Sequence, residues 1–288
     1  MPQTINTNIV SLNAQRNLNA SQSSLSTSMQ RLSSGLRVNS AKDDAAGLAI
    51  AERMNTQVRG MNVAIRNAND GISMAQTAEG ALGKIGENLQ RMRELTVQAR
   101  NSTNSNSDKD SLNKEFEQLA SEIWRIVNAT TFNGKPILAD TSGLAQTFQI
   151  GANTTVNDSI GINAVNLPTE DTMIRIVGDG TSGTFARIDN TSDFTALGVV
   201  IDNIDLALDF VNNTRATYGA IQSRFDAVIA NLQVAVENQA AARSRIMDAD
   251  FAQETSNMSR AQILQQAGNA MVAQANQLPQ QVLALLQR

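Results

Sequence analysis

The sequence contains no cysteine and no histidine. Disulfides, thiolate or imidazole metal ligands, cysteine nucleophiles and every Ser-His or Cys-His catalytic pair are therefore excluded. Aromatic residues are also scarce, with 8 Phe, 1 Trp and 1 Tyr among 288 residues, and only 4 prolines occur. The abundant Ala, Leu, Gln, Asn and Ser favour long helices over a core built on rings. The composition indicates a scaffold instead of an enzyme, with no catalytic residue, metal or cofactor.

Long apolar runs are missing as well. No segment approaches the roughly 18 apolar residues of a membrane span, and the N-terminal stretch MPQTINTNIVSLNAQRNLNA has no basic leader followed by an apolar core. We therefore expect no membrane-spanning segment and no cleaved secretory signal. The net charge of −4 gives no support to nucleic-acid binding. Neither a membrane nor a nucleic acid is an expected partner.

Acidic residues are absent from both ends of the chain. All 27 of them lie between Asp43 and Glu254, whereas residues 1–42 and 255–288 carry only basic charges. Both ends are also rich in Gln, Asn and Ser. Two distant segments of the same unusual composition are predicted to lie together in the folded molecule.

Apolar residues at both ends recur at steps of three and four, the spacing of a coiled-coil seam. The stripes are narrow, so each helix alone would be marginal, and we expect the two to fold against each other or against neighbouring subunits. A kink or local break is predicted at Pro279. The N-terminal stripe consists of Leu25, Met29, Leu32 and Leu36, and the C-terminal stripe of Leu264, Met271, Ala275, Leu278, Val282 and Leu285.

Three more helices are predicted inward of these ends. The first, with Asp43 or Asp44 as N-cap, runs to about Arg100, and its length would be roughly 85 Å at 1.5 Å per residue. The second opens at Asp108, and the third covers about Phe194 to Arg245. Their matched stripes predict a bundle. Acidic pairs in the chain fall beside predicted helix ends and are interpreted as caps.

The segment from about 131 to 193 has a different composition, which is rich in Thr, Asn, Gly and β-branched residues. Asp179-Gly180 lies between two short alternating runs, which predicts a β-hairpin. The predicted fold is therefore mainly α: a long coiled-coil rod with paired terminal helices and a small β-rich hairpin region mid-chain. We place that region at the end of the rod farthest from the termini.

Two surface features of the predicted helices have alternative interpretations. Arg91, Arg93 and Arg100 share a stretch with acidic residues, which indicates surface ion pairs or, alternatively, a binding patch. Trp124 follows the stripe residue Ile123, so it is predicted to flank the core, with a subunit contact as the alternative.

Three segments carry a specific resemblance to a known family. They read SLNAQRNLNASQSSLSTSMQRLSSGLRVNSAKDDAAGLAIAERM, NANDGISMAQTAEGAL and NMSRAQILQQAGNAMVAQANQLPQQVLALLQR. Together with their surroundings, about 1–140 and 195–288, they resemble bacterial flagellin. The middle of the chain is short and leaves little room for the large outer domains that many flagellins carry.

The resemblance implies a domain organisation. Residues 1–42 and 249–288 would form the two halves of an inner-tube helical domain. Residues 43–130 and 194–248 would form the outer-core helical domain, and residues 131–193 the short variable region. The predicted inner-tube assembly seam consists of Leu25, Met29, Leu32, Leu36, Met271, Ala275, Leu278, Val282 and Leu285.

The resemblance also implies a function and partners. The chain would be exported unfolded through the flagellar type III apparatus and polymerise with other flagellin subunits at the filament tip, beneath a cap protein and beyond hook-junction proteins. An export chaperone would bind its C-terminal segment before secretion. The stretch LQRMRELTVQA resembles the segment detected by the animal Toll-like receptor for flagellin. Carried over, the subunit and receptor contacts would be Gln90, Arg91, Leu95 and Glu115.

Three alternatives stay open at this stage. A hook–filament junction protein shares similar terminal helices. A membrane-active secreted helical protein would need wide apolar faces with basic rims, instead of narrow stripes. An enzyme embedded in the β-rich segment would have to work without histidine or cysteine.

Overall fold

The computed structural model describes residues 7–141, 143–163, 165–178 and 186–286, with side chains to residue 277. Within those ranges six α-helices account for most of the chain, as predicted, and the short strands form two antiparallel pairs, β1 with β2 and β3 with β4. The helices are α1 (Ile9–Ser34), α2 (Ala45–Ala99), α3 (Asn106–Ala129), α4 (Asp171–Val177), α5 (Phe194–Met247) and α6 (Phe251–Leu286). The strands are β1 (Thr131–Phe132), β2 (Lys135–Pro136), β3 (Gln146–Gln149) and β4 (Ser159–Ile162).

The chain divides into two compact units. Unit 1 consists of Met1–Thr56 and Glu237–Arg288, and unit 2 of Gln57–Val236. Helices α2 and α5 each contribute residues to both units. The five-part division inferred from the resemblance stays a prediction.

The core of unit 2 follows the predicted stripe of α2. Its buried face repeats every three or four residues from Ala68 to Ala99, which removes a continuous apolar strip from water. Residues of α3 and α5 complete the same core, so the predicted three-helix packing is confirmed. The main contributors are Ala75, Ala78, Leu82, Ile85, Leu89 and Met92 of α2, Phe116 and Ile123 of α3, and Ile204, Val211 and Phe225 of α5.

Helix α3 begins earlier than predicted. Its N-cap is Ser105, whose hydroxyl accepts a hydrogen bond from the Asp108 N–H at 3.3 Å, while the Asp108 carboxylate accepts from the Ser105 N–H at 2.9 Å. Asp108 is therefore the third helical residue of a reciprocal capping box and does not open the helix. Its pKa is lowered by the hydrogen bonds from the Ser105 hydroxyl and backbone.

The predicted hairpin around Asp179-Gly180 is wrong in its first arm. Residues 171–177 form α4, because Met173, Ile176 and Val177 fall on one helical face and are buried. This face packs near Trp124 and Val127 of α3. The proposed turn itself lies outside the described residues.

A hairpin that the pattern analysis missed joins β1 and β2. Asn133 and Gly134 both have positive φ, 49° and 77°, as the two central residues of a type I′ turn require. The Asn-Gly pair was a usable signal, but the flanking strands have only two residues each.

The second hairpin, β3 with β4, lies beside the part of α2 that begins unit 2. The Asn67 side chain donates to the Gln149 carbonyl at 3.0 Å, and the Phe148 and Phe225 rings meet edge to face with centroids 5.7 Å apart. Within unit 2 the hairpin therefore lies beside the first turns of α2 after Gln57 and not beside the loop after Ala99, and its predicted position relative to the termini stays a prediction. An apolar anchor for Phe148 decides the location.

In unit 1 the chain leaves α1 through Gly35, which has a φ of 71°. The Gly35 carbonyl accepts from the Ala249 N–H at 2.9 Å, and the Arg37 guanidinium donates to the Ile246 carbonyl at 2.7 Å. These bonds tie the segment before α2 to the last turn of α5 and to the residues that follow it. Helix α6 continues to Leu286, so the alternative of a local break at Pro279 is wrong, and the alternative of a kink there stays a prediction.

Two glycines of α2 provide a test of packing in unit 2. A Cβ at Gly71 would lie 2.7 Å from Cζ of the buried Phe225, whereas a Cβ at Gly83 meets nothing within 4 Å. We expect Gly71→Ala to lower the free energy of unfolding by about 1–3 kcal/mol. Gly83→Ala, the matched control, should raise it by about 1 kcal/mol through helix propensity alone. Urea titrations followed by far-UV circular dichroism measure both, and changes of the same sign would contradict the packing.

Candidate assembly site

Helices α1 and α6 pair in antiparallel fashion, so the two ends of the chain meet. Near one end of the pair, the Asn8 side chain donates to the Ala275 carbonyl and the Ser11 hydroxyl donates to Asn276 Oδ1, both at 2.7 Å. Near the other end, Arg31 Nη1 lies 3.0 Å from Glu254 Oε1. The prediction that the acid-free ends lie together is confirmed.

Small residues dominate the contact on the α6 side. Ala261 and Ala275 are buried, and a Cβ on Gly268, midway between them, would lie 3.1 Å from Leu18 Cδ1. Glu254 continues the same seven-residue spacing. This row is the a position of a heptad, and its small side chains let the two backbones approach closely. The apolar area that such a seam buries is modest, so its stabilisation is modest as well.

The seam uses a different register on α6 from the predicted one. The prediction places large side chains against the partner helix, but small side chains take that position. Met29, Leu264 and Met271 are therefore 54%, 50% and 58% exposed. Ala275 is buried as expected, and Leu25, Leu32 and Leu36 are half-buried. The side chains of Leu278, Val282 and Leu285 lie outside the described ones. Whether the nine residues of the predicted inner-tube seam, which do not include Leu264, form an intersubunit contact stays a prediction.

Large apolar side chains are exposed along both helices of the pair. No acidic residue precedes Asp43 or follows Glu254 in the chain. The exposed apolar side chains of α1 and α6 are therefore surrounded by polar residues that are mostly uncharged. Patches of this kind mark surfaces that bind another protein. Besides Met29, Leu264 and Met271, they are Ile9, Val10, Leu12, Phe251 and Ile263.

The Arg31–Glu254 ion pair is the main electrostatic feature of the seam. The Glu254 side chain is only 8% exposed. Burial raises the pKa of Glu254, but hydrogen bonds from Arg31 and Ser28 and the Arg31 charge outweigh burial, so the net pKa is lowered. Breaking such a pair leaves a covered charge without a partner, which is more costly than losing an exposed pair.

The predicted receptor and subunit contacts fall into two groups. Arg91 and Glu115 are exposed and paired, with Nε of Arg91 2.8 Å from Oε1 of Glu115, and Arg91 also pairs with Glu94 at 3.0 Å. Gln90 is exposed beside them. Leu95 is 1% exposed and belongs to the core of unit 2, so its side chain is not available to a partner. The structure corrects Leu95 to a core residue.

Of the other two arginines, Arg93 supports the ion-pair interpretation, whereas Arg100 contacts an aromatic ring. Arg93 forms a bidentate pair with Asp205 at 2.6 and 3.1 Å, and the Arg100 guanidinium lies 3.7 Å from the ring centre of Phe194. Trp124 is half-buried against the core, which confirms its predicted flanking role.

One residue of each predicted acidic pair caps a helix, whereas Asp43, Asp110 and Asp248 accept hydrogen bonds elsewhere. The Asp44 carboxylate accepts from the Gly47 N–H at 2.7 Å at the start of α2, and Asp250 accepts from the Ala252 N–H at 2.9 Å at the start of α6. Among the described residues no cluster of acidic side chains is arranged to hold a metal ion. In the same ranges, no helix has the length and apolar content that crossing a membrane requires.

Comparisons with known proteins identify the family of this helix pair. The family model described as the bacterial flagellin N-terminal helical region matches residues 5–143, and that of the C-terminal helical region matches residues 201–286. The chain belongs to the bacterial flagellin family. Flagellins are structural proteins of the extracellular flagellar filament and not enzymes, so the enzyme alternative is set aside.

Individual flagellins cover the whole chain. A flagellin of Halalkalibacterium halodurans is 45% identical over 98% of this chain and 99% of its own length. One of Xenorhabdus nematophila is also 45% identical, over 99% of this chain and all of its own length. The crystal structure of Bacillus cereus flagellin is 32% identical and covers 58% of this chain and 88% of its own, with a TM-score of 0.48.

The lowered pKa of Glu254 predicts acid sensitivity of the α1–α6 pair. A lowered pKa contributes stability that is present above the ordinary value of 4.5 and is lost as pH falls through the folded pKa. We expect amide exchange in α1 and α6 to accelerate as the pH falls below 4.5. Hydrogen–deuterium exchange, corrected for the pH dependence of the intrinsic exchange rate, measures this change.

A variant isolates the contribution of this carboxylate. Glu254→Gln should show faster exchange in α1 and α6 at neutral pH and a smaller further change on acidification. Equal acid responses of the two chains would contradict the role given to Glu254. Asp226→Asn, an exposed site in unit 2, serves as the control.

Proposed function

We propose that this chain is a filament subunit that polymerises through unit 1, giving the bacterial flagellar filament used for swimming. The observation that carries the proposal is the row of exposed large apolar side chains on a helix pair whose one acid, Glu254, is buried and whose internal seam buries mainly small residues. Such a pair gains most of its apolar burial from neighbours. Contacts between different faces of identical subunits generate helical filaments when the rotation between subunits does not close a ring, and the proposed contact is of this kind.

Export and assembly follow from the same features in this proposal. The ends of the chain are marginal helices when separated, so an unfolded chain can pass a narrow type III channel without a large energetic penalty. The absence of cysteine means that no disulfide would hinder unfolding. At the filament tip, below the cap protein and beyond the hook-junction proteins, α1 and α6 would order as they bind neighbours.

An export chaperone is a proposed partner before secretion. Its site would be the C-terminal segment, where Ile263, Leu264 and Met271 are exposed on α6. A protein that covers these side chains would keep subunits from assembling inside the cell.

The animal Toll-like receptor for flagellin is a second proposed partner. Gln90, Arg91 and Glu115 form a polar, exposed cluster on α2 and α3, which supports a contact there. Leu95 is left out of this contact because it is buried. In the filament the same cluster would face a neighbouring subunit, so only monomers would present it.

The alternative is a hook–filament junction protein. Full-length matches to proteins named flagellin, with 98–99% of this chain covered, support the filament role. Seeding purified protein with short filament fragments, followed by negative-stain electron microscopy, separates the two. Long filaments that vanish on heating and regrow on seeding support the filament role, whereas persistent monomers or short caps would favour the junction role.

Removing residues 255–288 tests the location of the assembly site. The truncation deletes nearly all of α6 and leaves unit 2 intact. We expect unit 2 to keep its helical circular dichroism and cooperative melting while polymerisation is abolished, because α1 loses its partner. Filaments of normal length from the truncated chain would refute an assembly site in unit 1.

A further inference from the structure

The side chains that a peroxide can oxidise are distributed unevenly between the surface and the interior. Cysteine is absent, so the thioethers of the 10 methionines are the side chains that react most readily with a two-electron oxidant. The single tyrosine, Tyr218, is buried, and the single tryptophan, Trp124, is half-buried against the core of unit 2. A peroxide that meets the folded subunit therefore reacts first with whichever methionines are exposed.

Among the described residues, the exposed methionines both lie on the helix pair of unit 1. Met29 is on α1 and Met271 is on α6, and each is more than half exposed. Because oxidation follows access to solvent, these two thioethers are the accessible ones. The other described methionines are half-buried, namely Met54, Met61 and Met258, or buried, namely Met74, Met92, Met173 and Met247.

Both exposed methionines have apolar neighbours on their own helix. Leu25 and Leu32 lie one turn before and one turn after Met29 on the same side of α1, and Leu264 lies one heptad before Met271 on α6. A thioether suits such a stripe, because it is flexible, polarizable and apolar. A protein surface that covers either methionine would therefore cover apolar side chains.

Oxidation changes this surface from apolar to polar. Hydrogen peroxide transfers one oxygen atom to the thioether sulfur, its O–O bond breaks, and a sulfoxide and one molecule of water are formed. The sulfoxide oxygen accepts hydrogen bonds, so covering it without a donor costs free energy. A sulfoxide at either position opposes a contact that buries it, whereas the buried methionines of unit 2 are shielded from the reaction.

We propose that Met29 and Met271 are oxidation sites through which a peroxide keeps free subunits out of the polymer. This inference rests on the proposed polymerisation through unit 1, and it adds a chemical regulation of the same surface. Subunits already assembled are protected, since neighbours cover both thioethers. Methionine sulfoxide reductases reverse the change: two thiols become a disulfide, the sulfoxide oxygen leaves as water, and the subunit can assemble again.

Oxidation of the monomer, measured at each methionine, tests the selectivity. The purified monomer is treated with hydrogen peroxide, quenched at several times, digested and analysed by peptide mass spectrometry. We expect Met29 and Met271 to be oxidised about tenfold faster than the buried Met74 and Met92. Equal rates at the four positions would overturn the assignment of the sites.

Seeded polymerisation tests the consequence. Monomer oxidised at Met29 and Met271 should add to filament fragments about tenfold more slowly than untreated monomer, because the buried sulfoxide lacks a donor. Treatment with methionine sulfoxide reductases and a dithiol should restore the rate. The double variant Met29→Leu/Met271→Leu keeps an apolar side chain at both sites and should assemble equally well with and without peroxide. The matched control, Met61→Leu/Met258→Leu, retains both exposed methionines and should stay sensitive.

Three results would overturn the proposal. They are undiminished growth of the oxidised chain, equal peroxide sensitivity of the two double variants, and reduction of both sulfoxides without recovery of growth. Recovery after reduction needs no substitution, so it decides the question even if a variant fails to fold. Failure of the untreated natural chain to polymerise refutes the proposed function itself. Normal growth of that chain, with unaffected growth after oxidation, refutes the oxidation sites alone.

Discussion

The antiparallel contact between α1 and α6 is the constraint on which the rest of unit 1 depends. It joins residues more than two hundred positions apart, so its formation has a high loop-closure cost. Three kinds of contact offset this cost: the packing of small side chains, the hydrogen bonds donated by Asn8 and Ser11, and the Arg31–Glu254 ion pair. A seam of this kind is close-packed but buries little apolar area. Because the seam uses small side chains, the large apolar side chains of α1 and α6 stay exposed and are available for the proposed contacts with other subunits.

Unit 2 shows the opposite balance between core and surface. Leu82, Ile85, Leu89 and Phe116 are fully buried, and its exposed charges form pairs such as Arg93–Asp205. The core stabilises this unit without a neighbour, and the exposed pairs add little. One chain thus combines a helical unit with a large core of its own and a helix pair that, in the proposed function, is completed by assembly. That division fits the proposed export and polymerisation of the subunit.

Sequence patterns predicted the elements whose buried residues are large. The stripe of α2 was found because Leu82, Ile85 and Leu89 stand out from their neighbours. On α6 the same rule selected Leu264 and Met271, although Ala261, Gly268 and Ala275 form the contact, because a row of small residues gives no hydrophobic signal. Residues 171–177 were too few to distinguish a two-residue period from a helical one. Leu95 was placed by resemblance on a binding surface, and only three-dimensional packing shows that it is buried.

Hydrogen–deuterium exchange of the monomer and of the seeded polymer measures whether assembly orders the α1–α6 pair. We expect fast exchange in α1 and α6 of the monomer, strong protection of both helices in the polymer, and equal protection of the α2 core from Ala75 to Leu95 in both states. Protection of α1 and α6 that is already complete in the monomer, or that is unchanged on polymerisation, would contradict the claim that assembly completes this helix pair.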